Sequence, residues 1–116
     1  MSLAIGSASR NLTVVAAGEV PEDQPEGPAD RRFAIEDYLG CGAILSELAM
    51  ELTPEAELCR RAFESCCRDY ARLVRESQSG LFLRERGMEC DITHCVQRNI
   101  YDVVPTIREG RIIPYA

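Results

Sequence analysis

The sequence has no lysine and no tryptophan, and it contains a single histidine, His94. All thirteen basic residues are therefore arginine, and against nineteen acidic residues they leave a net charge of −6. That balance argues against the concentrated basic face with which proteins bind nucleic acid or anionic membrane surfaces. One histidine without a defined nucleophile gives no basis for a Ser–His–Asp triad.

Long apolar runs are also absent, because none approaches the ~20 residues that a membrane helix requires. Residues 1–10 lack the basic and apolar regions of a secretory signal, so we expect a cytoplasmic protein. With 116 residues the chain is long enough for one small domain and not for two. We therefore predict that residues 1–116 form a single domain.

Six cysteines, at positions 41, 59, 66, 67, 90 and 95, could in principle form disulfides. Cys59 and Cys66 lie about two turns apart in one predicted helix, or ~10 Å, which is too far for a disulfide. We expect reduced thiols that fill apolar space, as in a cytosolic protein. Cys90, His94 and Cys95 form a weak metal-binding pattern, so a small metal- or redox-binding protein is the third and least favoured hypothesis.

The order of predicted elements indicates an α/β fold. Residues 11–17 (NLTVVAA) are short, apolar and β-branched, which is typical of a strand buried on both faces of a sheet. Residues 19–30 are rich in proline, glycine and acid, and predict a flexible acidic loop. Apolar spacing predicts a helix from about Ile35 to Leu52 and a second helix, capped by Thr53, that runs to about Ser77.

Shorter elements complete the predicted fold. Ser79 could cap a helix over 80–86 that Gly87 closes, and Asp91 could cap another over 92–98. Residues 102–115 predict a hairpin or edge ribbon with its turn at 109–110. We predict a layered α/β/α arrangement, here a partial domain, because one buried strand cannot form a sheet alone. A partner half, a second chain or an oligomer would supply the missing strands.

Candidate functional residues follow the first predicted strand. Gly18 ends that strand, at the position where open α/β sheets place ligands. Glu36 and Asp37 open the next helix but point to different sides, so they do not form a paired dyad. They either complement the helix dipole or, at Asp37, bind a hard cation such as Mg²⁺. Gly40 and Gly42 permit close approach of either a ligand or a packed element.

Two further positions could contact an anion. The turn at Ser79 could cradle an oxyanion on backbone N–H groups, or Ser79 could be an ordinary helix cap. Arg108 lies beside the last turn, where its planar guanidinium could clamp an anion or could be an edge charge that prevents sheet association. The residue types alone leave both pairs of alternatives open.

Several segments together resemble the C-terminal half of 2-phosphosulfolactate phosphatases. They are VVAAGE at 14–19, FAIEDYLGCGAIL at 33–45, ESQSG at 76–80 and ERGMECDITHCVQRNIYDVVPTIREGRI at 85–112. Their joint order makes the resemblance specific, above all E-D-x-L-G-C-G-A-I followed by D-V-V-P-x-x-R-x-G. The resemblance covers nearly all of residues 11–113, and the acidic loop at 19–30 looks like an insertion.

The resemblance implies a Mg²⁺-dependent hydrolase that acts on a small anionic phosphate ester, 2-phosphosulfolactate, on the route to coenzyme M. The positions that match the family pattern are Gly18, Glu36, Asp37, Gly40, Gly42, Asp91 and Cys95. We predict Asp37 and Glu36 as catalytic residues, with Asp37 as the metal ligand. The predicted substrate-binding residues are Gly18, Gly40, Gly42, Ser79 and Arg108.

One part of the family pattern is absent. The N-terminal half of these phosphatases, with its D-V-x-R-A-T-S-T segment, has no counterpart in this sequence. We therefore expect a site that is incomplete until a partner half or a homo-oligomer supplies the rest. The alternative is a non-catalytic fragment or interaction module that keeps the fold.

Overall fold

The computed structural model describes residues 11–20 and 31–115, which form five helices and one two-stranded sheet. None of these helices is long and apolar enough to cross a membrane. The mixed α/β class is confirmed, whereas the layered α/β/α arrangement stays a prediction. In chain order the elements are α1 (Ile35–Ser46), α2 (Pro54–Cys66), α3 (Tyr70–Glu76), α4 (Gln78–Glu85), α5 (Glu89–Cys95), β1 (Pro105–Arg108) and β2 (Arg111–Pro114).

The core lies between α1 and α2. Cys41 and Leu45 of α1 are buried in one apolar cluster with Cys59 of α2, and Phe63 is buried one turn further along α2. Gly42 lets the helices approach, because a Cβ on it would lie 2.5 Å from the Phe63 Cβ and 2.7 Å from the Cys59 carbonyl oxygen. Glycine has a low helix propensity, and the close packing of α1 against α2 offsets that cost at this position.

The cysteines are free thiols, as the sequence analysis expected. Cys41 and Cys59 are buried, whereas Cys67, Cys90 and Cys95 are exposed. The buried pair fills space in the core in the way that small apolar side chains do.

α1 is shorter than predicted, because it ends at Ser46 rather than near Leu52. The N–H groups of Glu47 and Leu48 bond to carbonyl oxygens three residues back, at 3.1 and 3.2 Å, which tightens the last turn and ends the helix. Leu48 and Leu52 then pack against the core cluster from outside the helix. Their apolar spacing therefore reflects burial by a returning loop and not a continued helix.

The long helix predicted over 54–77 is divided in two. α2 ends at Cys66, and a turn follows in which the Asp69 N–H bonds to the Cys66 carbonyl oxygen at 2.8 Å. The turn brings Tyr70 against Phe63, with ring centroids 6.5 Å apart, and the Tyr70 hydroxyl donates to the carbonyl of Val96. These tertiary contacts of Tyr70 explain why two shorter helices replace one continuous helix.

Two of the predicted helix caps are correct and two are misplaced. The Thr53 hydroxyl accepts a hydrogen bond from the backbone N–H three residues further along the chain and so caps the start of α2. Gly87, with a φ of +72°, follows the end of α4. α4 is capped by Ser77, not Ser79, because Ser77 has the extended backbone that an N-cap requires. α5 begins at Glu89, so Asp91 lies inside its first turn, where an acid still complements the helix dipole.

The predicted C-terminal hairpin is confirmed. β1 and β2 pair antiparallel with Ile107 opposite Ile112. Glu109 and Gly110 connect them with φ angles of +50° and +73°, which is typical of a two-residue type I′ turn. Ile107 and Ile112 remain exposed by 74% and 75%, so this ribbon contributes little to the core.

The prediction of a strand at residues 11–17 is wrong. Residues 11–17, here called the N-terminal segment, form no regular strand, and only Glu19 beyond them makes an isolated antiparallel bridge, with Arg32. Val15 is 75% exposed. Among the described residues no strand lies beside the segment, so nothing there completes a sheet around it. Residues 21–30 of the predicted acidic loop lie outside the described ranges.

Candidate functional site

A polar cluster lies where the N-terminal segment meets the first turn of α1. The Gly18 N–H donates to the Asp37 carboxylate, at 2.8 Å from Oδ2. Gly18 has a φ of +70°, and a Cβ on it would lie 2.8 Å from the Arg32 carbonyl oxygen, so both conformation and space require glycine here. The structure thus brings together two predicted site residues, and the Asp37 side chain is half-buried.

Glu19 extends the cluster toward α4. Its backbone exchanges two hydrogen bonds with Arg32, at 3.0 and 2.8 Å, which fixes the end of the N-terminal segment. Its carboxylate accepts a hydrogen bond from the Ser79 hydroxyl at 3.2 Å, across 60 residues of sequence. Ser79 therefore belongs to the same cluster as Gly18 and Asp37, as a hydroxyl donor and not as a helix cap.

Two members of the cluster were not predicted. Glu19 is one, and the other is Arg31, whose Nη1 donates to the Ala17 carbonyl oxygen at 3.2 Å. Glu19 follows Gly18 directly, so its place at the end of a candidate strand was the available signal. Arg31 carried no such signal, because it lies 14 residues from Ala17 in the sequence.

Glu36 and Gly40 line a different feature, a pocket of roughly 120 Å³ that Tyr70 and Arg98 also line. A Cβ on Gly40 would meet nothing within 4 Å, so this glycine leaves open space beside α1. Glu36 is exposed, whereas Asp37 is half-buried. Joint catalysis by Glu36 and Asp37 stays a prediction.

The remaining predicted substrate-binding residues lie elsewhere. Gly42 is buried between α1 and α2, where its contacts with α2 account for the absence of a side chain. Arg108 is exposed in β1, opposite Arg111. No hydrogen bond or ion pair within the described ranges joins either residue to the cluster around Asp37. Substrate contact by Gly42 and Arg108 stays a prediction.

The cluster by itself does not fit a complete metal site. Within residues 11–20 and 31–115, no group of three or more His, Cys, Asp and Glu side chains could hold a metal ion. Asp37 Oδ1 accepts no hydrogen bond from these residues, so it could supply one of the oxygen ligands that Mg²⁺ prefers. The other ligands would have to come from outside the part of the chain described.

The same finding overturns the hypothesis of a metal site at Cys90, His94 and Cys95, all of which the structure describes. Cys90 instead lies 3.6 Å from Asp91 Oδ1, and the Nε2 atom of His94 lies 3.4 Å from the Tyr101 hydroxyl. The three side chains are exposed on neighbouring turns of one helix and do not converge on a common point.

The buried cysteines are not reactive groups. Burial raises the pKa of the Cys41 thiol, and the nearby Cys59 and Asp37 raise it further. Burial also raises the pKa of Cys59, whose thiol donates to the Tyr38 carbonyl oxygen at 3.4 Å. A raised pKa keeps each sulfur in its neutral form, which is the unreactive one. The core beside Asp37 is therefore structural.

The fold and the cluster define a mixed α/β protein with an acid, a tight glycine and a hydroxyl at the end of its N-terminal segment. The family model of 2-phosphosulpholactate phosphatase matches residues 4–110 of the chain. The chain belongs to the 2-phosphosulfolactate phosphatase family.

Three relatives show how much of the family the chain represents. A probable 2-phosphosulfolactate phosphatase of Pseudothermotoga lettingae is 40% identical over 73% of this chain and 38% of its own length. The 2-phosphosulfolactate phosphatases of Methanothermobacter thermautotrophicus and Methanocaldococcus jannaschii are 34% and 33% identical over 94% and 92% of this chain, and over 45% and 47% of their own lengths. The chain thus spans less than half of each relative. No solved structure gives a significant match.

Proposed function

We propose that this chain is one half of a phosphatase that hydrolyses a small phosphate ester such as 2-phosphosulfolactate. One observation carries the proposal: the hydrogen bond from the Gly18 N–H to Asp37, which holds a half-buried carboxylate beside a tight glycine. Open α/β folds bind ligands outside the carboxyl ends of strands, which is the position that Gly18 takes once a neighbouring strand pairs with residues 11–17. Family membership and the names of the relatives support the substrate class.

Within the proposed site each side chain of the cluster has a different chemical role. Asp37 supplies a carboxylate whose Oδ2 is oriented by Gly18, which leaves Oδ1 for a metal ion or an acid–base role. Ser79 presents a hydroxyl that Glu19 orients by accepting its hydrogen bond, so the Ser79 oxygen has lone pairs left for another donor. Arg31 brings a guanidinium to the end of the N-terminal segment, where its planar fork suits an oxyanion.

Mg²⁺ dependence is part of the proposal, with Asp37 as one ligand and the other ligands outside the described residues. A bound Mg²⁺ supplies charge neutralisation for the transferred phosphoryl group. A cytoplasmic location and a place on the route to coenzyme M also belong to the proposal, because they follow from the family resemblance alone.

The proposal includes a second half because of the length comparison. The chain covers only 38 to 47% of the three relatives, so more than half of each relative has no counterpart here. A site with one metal-ligating carboxylate also requires groups from elsewhere. We propose that the N-terminal half of the family fold supplies them.

The test is phosphate release by the chain reconstituted with the part of the P. lettingae relative that precedes the matched region. We expect Mg²⁺-dependent release of phosphate from 2-phosphosulfolactate only when both halves are present. Asp37→Asn should lower kcat/KM by about 100-fold or more, the loss typical when a group that stabilises charge in the transition state is removed. Asp69→Asn, the same change at an exposed acid outside the cluster, is the matched control.

Equal activity in the Asp37→Asn and Asp69→Asn proteins would remove Asp37 from the site. The absence of a complete metal-binding group in the described residues favours a second candidate, a non-catalytic interaction module. That candidate predicts that the two halves associate and release no phosphate at any Mg²⁺ concentration.

A further inference from the structure

Residues 12–16 of the N-terminal segment have no hydrogen-bonding partner for their backbone within the described chain. The N–H and C=O groups of residues 12–16 make no hydrogen bond with any residue in the described ranges. Unpaired backbone groups of this kind readily accept an added strand, since strand addition satisfies them at once. The hairpin at the other end of the chain, by contrast, has paired its two strands with each other.

A groove of roughly 490 Å³ lies between the N-terminal segment and the two core helices. Cys41, Leu45 and Cys59 form part of its lining on the helix side, and Leu12 and Val14 belong to the lining on the segment side. Protein interiors are close-packed and leave few voids larger than a water molecule. The groove therefore marks a part of the core that the described residues do not fill.

Both faces of the N-terminal segment carry apolar side chains. Val14 packs toward the core cluster, whereas its neighbour Val15 is 75% exposed on the other face. Strands with apolar residues on both faces occur where a sheet is covered on both sides. The segment thus needs a neighbouring strand at its edge, apolar side chains in the groove, and a cover over Val15.

We infer that the N-terminal segment and the adjoining groove form the docking surface for the complementary N-terminal half of this fold. That half places a strand beside residues 12–17 and fills the groove with apolar side chains. We infer this binding partner from the lengths of the relatives. Each relative contains the region shared with this chain and a further region that is longer than the shared one. The inference shares with the proposed function only the existence of a second half.

A second copy of the chain is a poorer occupant. Each copy carries a net charge of −6, so two copies repel one another over the whole surface. A second copy would also present the same unfilled groove and would not supply the strands that both copies lack. The complementary half avoids the second objection, because it corresponds to a part of the relatives that this chain does not contain.

Hydrogen exchange on the unmodified chain tests the surface without any substitution. Amide exchange is measured for the chain alone and with the N-terminal part of the P. lettingae relative added. We expect exchange of the amides of residues 12–17 to slow by about 10-fold or more in the complex, because strand pairing protects them. The amides of the hairpin at 105–114 should change little.

Two matched variants test the same surface by affinity. Val15→Asp places a charge on the surface to be covered, and we expect the two halves to associate about 10-fold more weakly or worse, because a buried unpaired charge is costly. Leu58→Asp makes the same kind of change at a residue of α2 that is 66% exposed and does not line the groove. It should alter the affinity by less than about 2-fold.

The outcomes separate the two proposals. Unchanged exchange at 12–17 in the complex, equal effects of the two aspartate variants, failure of the halves to associate, or a homodimer that Val15→Asp breaks would each overturn the docking surface. Protected amides at 12–17 in a complex that releases no phosphate would support the docking surface and overturn the proposed function alone.

Discussion

The α1–α2 pair and the N-terminal segment are neighbours that both contain apolar side chains, yet only the helix pair buries them fully. Leu45, Cys59 and Phe63 are 6%, 7% and 4% exposed, whereas Val15 is 75% exposed. The helices satisfy their own backbone groups and need only one apolar face covered. A strand buried on both faces needs neighbours at its edges and covers above and below. The difference shows which parts of the fold this chain completes by itself.

The largest expected effect is at Phe63, the side chain that α2 buries most deeply. Phe63→Ala should lower the free energy of unfolding by about 3–5 kcal/mol, because it removes an aromatic ring from a packed contact and leaves a cavity. Phe33→Ala is the matched control, since Phe33 is 70% exposed and should cost about 0.5 kcal/mol or less. Chemical denaturation measures both values, and equal losses would contradict the burial of Phe63 between α1 and α2.

A second comparison uses the two glycines of α1. Gly42→Ala should cost about 1–3 kcal/mol, because the new methyl group would overlap Phe63 and the Cys59 backbone. Gly40→Ala should stabilise the chain by up to about 1 kcal/mol, because the space is open and alanine favours a helix. The same denaturation experiment decides the result. A gain in stability from Gly42→Ala would mean that α1 and α2 do not approach as described.

A smaller effect concerns pH and the buried thiol of Cys41. Its pKa in the folded chain is raised above the ordinary value of 9.0, first by burial. The folded state therefore disfavours the thiolate, so this contribution to stability is full below pH 9 and is lost as the pH rises above it. We expect the unfolding free energy of the wild type to fall more between pH 8 and 10 than that of Cys41→Ala. Parallel pH profiles would show that Cys41 is not buried.

The smallest effect is expected at the surface of α2. Two arginines, Arg60 and Arg61, hydrogen-bond to Glu57 and lower its pKa to about 2. The stability that the carboxylate contributes is present above its ordinary pKa of 4.5 and is lost as the pH falls toward 2. Because the group is exposed and screened, Glu57→Gln should flatten the acid limb of the stability profile only slightly. A large change would indicate that Glu57 is buried in solution.

The fold was predictable from the sequence where signals are local. The Thr53 cap, the glycine after α4 and the turn at 109–110 all follow from short-range chemistry and agree with the structure. The division of the helix over 54–77 depends on Tyr70 reaching Phe63 and Val96, which are contacts that no spacing in the sequence reveals. The same holds for the loop that returns Leu48 and Leu52 to the core.

The candidate site shows the same limit. Gly18 and Asp37 were predicted separately, and the structure joins them through one hydrogen bond. The contact between Glu19 and Ser79 spans 60 residues and could not be read from either segment alone. Gly42 fits the packing alternative, because its close neighbours belong to α2. Sequence patterns identified the residue types, and tertiary contacts decided which of them meet.

Amide hydrogen exchange of the isolated chain tests the contrast between the two regions most directly. Amides in the interiors of α1 and α2 should exchange at least about 100-fold more slowly than unstructured peptide, while those of residues 12–17 should exchange within about 10-fold of it. Amides at 12–17 that exchange as slowly as those of α1 would show that the N-terminal segment already has its partners, and the account of an incomplete half would then be wrong.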